Sequence, residues 1–250
     1  MTRRGKMLAL AGLVVVVAGV VAAVPAAAQQ FNFDLGSGSN TSTTRIVQLI
    51  ALTTVLSVAP SILVMVTSFT RIVVVLGFLR QALGTTTSPP NMVIVSLALF
   101  LTAFVMAPTM QQSWNQGIQP YMDGHIDETE AFQATIKPLH VFMMKHVRDR
   151  DLELFMNLSH TATVAKPEDV PLQVVVPAFM ISELRRAFEM GFLIFLPFVI
   201  IDMVVASVLM SMGMMMIPPA MISLPFKLIF FVLVDGWYMV VGSLVKSFGT

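Results

Sequence analysis

The sequence predicts an all-α membrane protein: a membrane-associated chain with four hydrophobic helices in two hairpins and a small helical periplasmic domain between them. Three observations predict it. Charge is scarce: 12% of the 250 residues are charged, against about 25% in an ordinary soluble domain, and the mean hydropathy is +0.82. The uncharged runs are long. Between Ile46 and Met122 the only charged side chains are Arg71 and Arg80, and from Met190 onward there are only Asp202, Lys227, Asp235 and Lys246. Runs of this kind mark membrane helices. Finally, the polar stretch between the runs has helical periodicity, in Glu130 to His146 and Arg148 to Leu158.

Residues 1–28 read as a cleavable signal peptide. Arg3, Arg4 and Lys6 form a basic start, Met7 to Val24 an apolar stretch, and Pro25 a helix break before three small residues. Cleavage is expected after Ala28, leaving Gln29 as the new N-terminus; an uncleaved anchor is the alternative. Arg3-Arg4 fits twin-arginine export poorly, and ordinary insertion is the better reading. Residues 29–45, rich in Ser, Thr, Asn and Gly, read as a flexible exposed tail.

Residues 46–110 read as the first hydrophobic hairpin. Its first arm, interrupted at Pro60, continues from Ile72 to Leu79. Gly84 to Pro90 is the turn, and Met92 to Met110 the second arm, ending near Pro108. Residues 111–189 hold all four histidines and most of the charge, and read as the soluble helical domain. From Gln111 to Gly191 there are eleven acids against seven Lys or Arg. Residues 190–250 read as the second hairpin, Met190 to Met216 and Met221 to Val245, joined by a Met-rich turn with Pro218, Pro219 and Pro225. Arg71 and Arg80 lie between the first two helices with no acid nearby. Positive residues stay in the cytoplasm, so the acidic domain and both mature termini are expected in the periplasm of a multi-pass inner-membrane protein.

The residues exclude several chemistries. There is no Gly-x-Ser-x-Gly, no phosphate-cradling glycine loop and no His-Glu-x-x-His, so no catalytic residues are assigned and the chain does not read as an enzyme. Cysteine is absent, which removes disulfides, thiolate metal sites and cysteine nucleophiles. His125, His140, His146 and His160 lack metal-ligand spacing and read as solvated or packing residues; no metal or cofactor is implied. The Asp149-Arg150-Asp151 cluster reads as a solvated helix face. No basic run points to nucleic acid.

Asp202, Lys227 and Asp235 stand out, because a charge at the bilayer centre costs about 2.5–3.5 kcal/mol and needs a partner, water or a protein interior. The midpoint of positions 202 and 227 falls between Met214 and Met215. If the second hairpin turns there, Asp202 and Lys227 face each other at one level. A structural ion pair and a gating or proton-linked role are both open at this point. Met210, Met212, Met214, Met215 and Met216 crowd the same turn, with Met221 following. Thioethers are soft and unbranched and can close irregular gaps reversibly. Ordinary core filling is the bland alternative, and Cu(I) ligation ranks last without nearby Cys or His.

Two stretches then carry a resemblance: Pro177 to Phe192 (PAFMISELRRAFEMGF) and Pro225 to Trp237 (PFKLIFFVLVDGW). With Met65 to Ile72, Leu79 to Gly84, Pro89 to Met92 and Met212 to Pro219, they resemble the FliP family of flagellar type III protein-export gates, whose virulence-system counterpart is SctR. The likeness runs from about Ile46 to Phe248 in consistent order. It implies a subunit that self-associates, as a pentamer, with FliQ and FliR into a channel of the flagellar basal body. The channel works with FlhB and FlhA to pass unfolded flagellar export substrates. It further implies that Met214, Met215 and Met216, after Gly213, form a pore gasket, and that Asp202 and Lys227 are an intramembrane charged pair. Glu183, with Arg185 and Phe188 beside it, falls in a subunit contact region. The signal peptide favours the flagellar branch. A small-solute or copper transporter would need repeat symmetry and a midplane site, which are not seen; a scaffold without a conduit would leave the methionines unexplained.

Overall fold

The computed structural model describes residues 39–85, 87–159, 167–214 and 218–249. Ala28, Gln29, His160, Met215 and Met216 lie outside the described residues. Among the described residues there are helices and turns and no strand. The chain divides into two units, Met1–Val55 and Leu56–Thr250.

In the first unit the chain is helical from Ser39, inside the stretch expected as a tail; this is the start of α1 (Ser39–Val66). Its threonines turn their hydroxyls back on the helix: Thr53 Oγ1 donates to the Leu49 carbonyl (2.9 Å) and Thr54 Oγ1 to that of Ile50 (2.7 Å). A hydroxyl satisfied this way needs no partner outside the helix.

In the second unit the backbone stays helical through Pro60 and breaks instead at Thr67 and Ser68, before α2 (Phe69–Ala82). Proline removes one rung of the ladder, which a long helix tolerates, whereas threonine hydroxyls offer the backbone rival partners. Here Thr67 Oγ1 accepts from the Phe69 amide (3.4 Å), and Thr70 Oγ1 donates to the Val64 carbonyl (3.2 Å). After a turn with Gly84 at φ +77°, α3 (Asn91–Ser113) passes through Pro108 instead of ending there. It continues as a π-helical turn, Trp114–Ile118, and α4 (Gln119–Met122). Gly117 lets the following helix pack closely on this turn: a Cβ there would lie 2.1 Å from Thr135 Oγ1 and 2.7 Å from the Thr135 amide nitrogen.

The polar stretch forms α5 (Glu128–His146) and α6 (Asp149–Leu158). Asp127 caps α5 by accepting from the Glu130 amide (2.7 Å), and acids at its start and Lys145 at its end suit the helix dipole. Then comes α7 (Leu172–Ser211), 40 residues without a break. The boundary expected at residue 190 falls inside this helix, because composition changes there and the backbone does not. The last apolar segment is bent by 64° into α8 (Pro219–Leu233) and α9 (Gly236–Lys246).

The core joins α2, α3, α5 and α7, with Val75, Ala98, Met143, Val175 and Phe179 almost fully enclosed. α2 and α7 pack side by side in the same chain direction: Arg71 meets Glu183, and Phe78 meets Phe188 and Phe195 further along. Among the described residues two helices are long and apolar enough to cross a membrane, Asn91–Met122 and Leu172–Ser211. The α8–α9 pair makes a third if the bent halves form one span. The fold is that of an all-α membrane protein.

Candidate functional site: two buried ion pairs and the methionine turn

The second hairpin closes on a polar node. Lys227 Nζ donates to Asp202 Oδ2 (2.7 Å) and to the Ala82 carbonyl (3.3 Å), and Ser223 Oγ donates to Asp202 Oδ1 (2.6 Å). The lysine side chain is 8% exposed and the aspartate 39%. One carboxylate therefore ties α8 to α7, and the lysine ties both to the end of α2. Ser223 lies one turn before Lys227, so both donors leave the same helix face.

A second pair lies on the other half of α7. Arg71 forks onto Glu183 through Nε (2.8 Å) and Nη2, and its Nη1 donates to the Ser247 carbonyl (3.2 Å) and hydroxyl (2.8 Å). The Phe248 ring lies 3.8 Å below the guanidinium carbon. Both charged side chains are essentially inaccessible. This changes the charge reading of the sequence: Arg71 is a core residue paired within the chain, so Arg80 alone remains as an unpaired positive marker of the first loop. The guanidinium of Arg80 bonds Asn91 Oδ1 across that loop.

Above the first node, α7 ends in a Schellman turn: the Met214 amide bonds the Leu209 carbonyl (3.0 Å) and the Gly213 amide that of Met210 (3.1 Å). Gly213 takes φ +72°, which an L side chain adopts only under strain. Met210, Met212, Met214 and Met221 are all exposed around this turn; Met215 and Met216 lie outside the described residues. The structure thus brings Asp202 and Lys227 together and puts the described methionines at the hairpin tip. It separates the residues expected at a subunit contact. Glu183 has no exposed surface and is held by Arg71, while Arg185 pairs with Glu189 on the surface (2.8 Å). Phe188 is exposed, with its ring edge-on to Phe78 at 5.0 Å.

One further feature escapes a sequence reading. Asp151, expected on a solvated face, is buried; it accepts from Arg148 Nε (2.9 Å) and Nη2 (3.0 Å) and from Ser182 Oγ (2.6 Å), fastening α6 to α7. The Arg148 hydrogen bonds hold its carboxyl below the usual carboxylate range, against the opposing effect of burial. Of the two readings open for the histidines, solvated or packing, His140 and His146 take the second: both are buried and bonded to the carbonyls of Val170 and Phe142 (2.8 Å each). Burial pushes His146 below the ordinary imidazole range. The one available signal was Arg71 itself, a lone charge in an uncharged run, which must find a partner. Among the described residues no group of three or more His, Cys, Asp or Glu could hold a metal ion.

Membrane-length helices locked by internal ion pairs, with exposed methionines at a hairpin tip, define an all-α membrane protein. The chain matches the FliP family over residues 52–244 and belongs to that family. It is 58% identical over 242 residues to the flagellar biosynthetic protein FliP of Caulobacter vibrioides, covering 95% of this chain and 91% of that one. It is 56% identical over 219 residues to the Bacillus subtilis protein of that name (86% and 97%) and 55% over 205 residues to that of Rhizobium meliloti (81% and 84%). Membership places it among the membrane components of flagellar biosynthesis and export, and not among enzymes.

Proposed function

We propose that this chain is a core subunit of the flagellar export gate, lining with FliQ and FliR the channel by which unfolded flagellar subunits cross the inner membrane. In this reading several copies, five by family likeness, assemble in the basal body and act with FlhA and FlhB. The signal peptide (residues 1–28) is removed, and the domain of residues 111–189 faces the periplasm. That placement rests on Arg80 and the signal peptide.

The observation that carries the conduit is the methionine turn set on a rigid base. Asp202, Ser223 and Lys227 fix the two arms of the hairpin, while Met210, Met212 and Met214 stand exposed beyond the node. A channel that passes unfolded chains must widen to about the 10–12 Å of a helix with side chains, and close to ions when idle. Methionine, with three rotatable bonds, packs around an irregular polypeptide and then against its own kind. The sharp turn at Gly213 presents that cluster away from the helices.

Replacing Met214, Met215 and Met216 together by Ala should leave assembly intact and make the closed gate leak. The measurement is ion conductance of the purified complex in a planar bilayer, with growth under salt stress as the cellular readout. A triple variant that assembles and stays as ion-tight as the parent reduces the cluster to packing and favours a scaffold.

A further inference from the structure

We propose that the bend between α8 and α9 is a docking surface for a membrane-spanning helix of another protein, one that carries a single Lys or Arg level with Asp235. This rests on the membrane placement of the chain and is independent of the methionine seal.

Asp235 sits at the 64° bend in the left-handed region, at φ +50°. Its backbone is fully used: its amide bonds the Val232 carbonyl and its own carbonyl takes the Met239 amide (3.1 Å each). Its carboxylate is exposed and makes no capping bond to α9. Among the described residues no cation pairs with it. Neither the bend nor the cap explains the charge, since Asn or Gly meets the same backbone demand without it. Around it the surface is apolar. Val232 and Leu233 are 76% and 78% exposed, Tyr238 76%, and Trp237 stands beside them. A lone carboxylate in an apolar, membrane-level surface calls for a cation from outside the chain. A guanidinium or ammonium also suits the carbonyls that the end of a helix leaves open.

Among the described residues, the cations in or beside the apolar helices from α2 onward do not fit. Arg71 and Lys227 are held by Glu183 and Asp202, and Arg80 by Asn91. Lys246 lies in the last turn of α9, about 15 Å along the axis, where it already suits the helix dipole. A different chain with an apolar face and one basic residue complements what is exposed.

The test uses the full chain in nanodiscs and three synthetic 20-residue polyleucine helices with Arg, Leu or Glu at the centre. The Arg helix should bind about tenfold more tightly than the Leu helix, the order of one interhelical polar contact. Asp235→Asn should bring that ratio near one, and Asp235→Lys should turn the preference to the Glu helix. Each ratio is read within one variant, so a general loss of stability does not mimic the result. Equal binding of the Arg and Leu helices to the parent chain overturns the proposal, as does a preference that survives Asp235→Asn. In cells, a photo-crosslinking residue at Tyr238 should reach a chain with a basic residue in the crosslinked span, and Asp235→Lys should abolish that crosslink. Crosslinks to this chain alone would make the surface a contact between copies and overturn the assignment.

Discussion

At the scale of single residues, the two ion pairs differ in how much water they retain, and their variants should differ accordingly. Glu183 and Arg71 are both enclosed. Removing one charge leaves the other buried without a counter-ion, a loss of about 3–5 kcal/mol. Glu183→Gln should therefore unfold the α2–α7 contact, while Arg71→Met with Glu183→Leu should recover much of the stability. Asp202 is 39% exposed, so water screens its loss. Asp202→Asn should cost well under the Glu183 variant, because the amide oxygen can still accept from Lys227 while the amide NH2 donates to the Ser223 hydroxyl. Thermal midpoints of the purified protein in one detergent check the order; equal shifts for the two variants would contradict it. His146 gives a pH signature. Desolvation depresses its folded-state value, opposed by its bond to the Phe142 carbonyl and by Glu183, while Arg71 adds to the depression. The unfolded chain takes up a proton near pH 6.5, where the folded chain does not. Stability is thus full above about 6.5, falls as the pH drops toward the folded value, and is level below it. His146→Gln should flatten that slope in melts between pH 8 and 5. An unchanged slope would assign the effect to other groups.

At the scale of elements, helix contacts here depend on what glycine omits. A Cβ at Gly191 would lie 2.4 Å from the Phe78 ring, which is boxed edge-on between Phe188 and Phe195. At Gly236 it would lie 2.1 Å from the Phe231 ring, itself 5% exposed and set edge-on to Trp237. Gly77, within α2, has nothing within 4 Å of that position. Gly191→Ala and Gly236→Ala should each destabilise by about 1–3 kcal/mol through overpacking. Gly77→Ala should stabilise by about 0.5–1 kcal/mol through helix propensity. Midpoints of detergent melts read all three, and a Gly191→Ala variant as stable as Gly77→Ala would mean that α2 and α7 can slide apart freely. The α8–α9 bend belongs to this scale too: Asp235 turns the chain and Gly236 lets Phe231 close the corner.

At the scale of the whole molecule, much of this arrangement was legible in the amino-acid order, and the remainder has identifiable physical reasons. The apolar runs, the helical class and the level pairing of Asp202 with Lys227 follow from composition and from the midpoint of one hairpin, which are local properties. Arg71 with Glu183 was not legible, because that contact depends on two helices lying side by side in the same direction with more than a hundred residues between them. The break at Thr67 was hidden by Pro60, the stronger local signal, and the continuity of α7 by a change in polarity that leaves the backbone unaffected. That continuity has a mechanical meaning. Glu183 and Asp202 stand about 28 Å apart along one helix, close to the roughly 30 Å of a hydrocarbon core. A hydrogen-bonded rod cannot stretch or shorten without breaking its own ladder. Pro197, between the two clamps, lacks one rung. A push at the Glu183 clamp therefore either arrives at the hairpin tip at once or is taken up as a bend at Pro197, so the timing of the two ends is set by the stiffness of a single residue's surroundings.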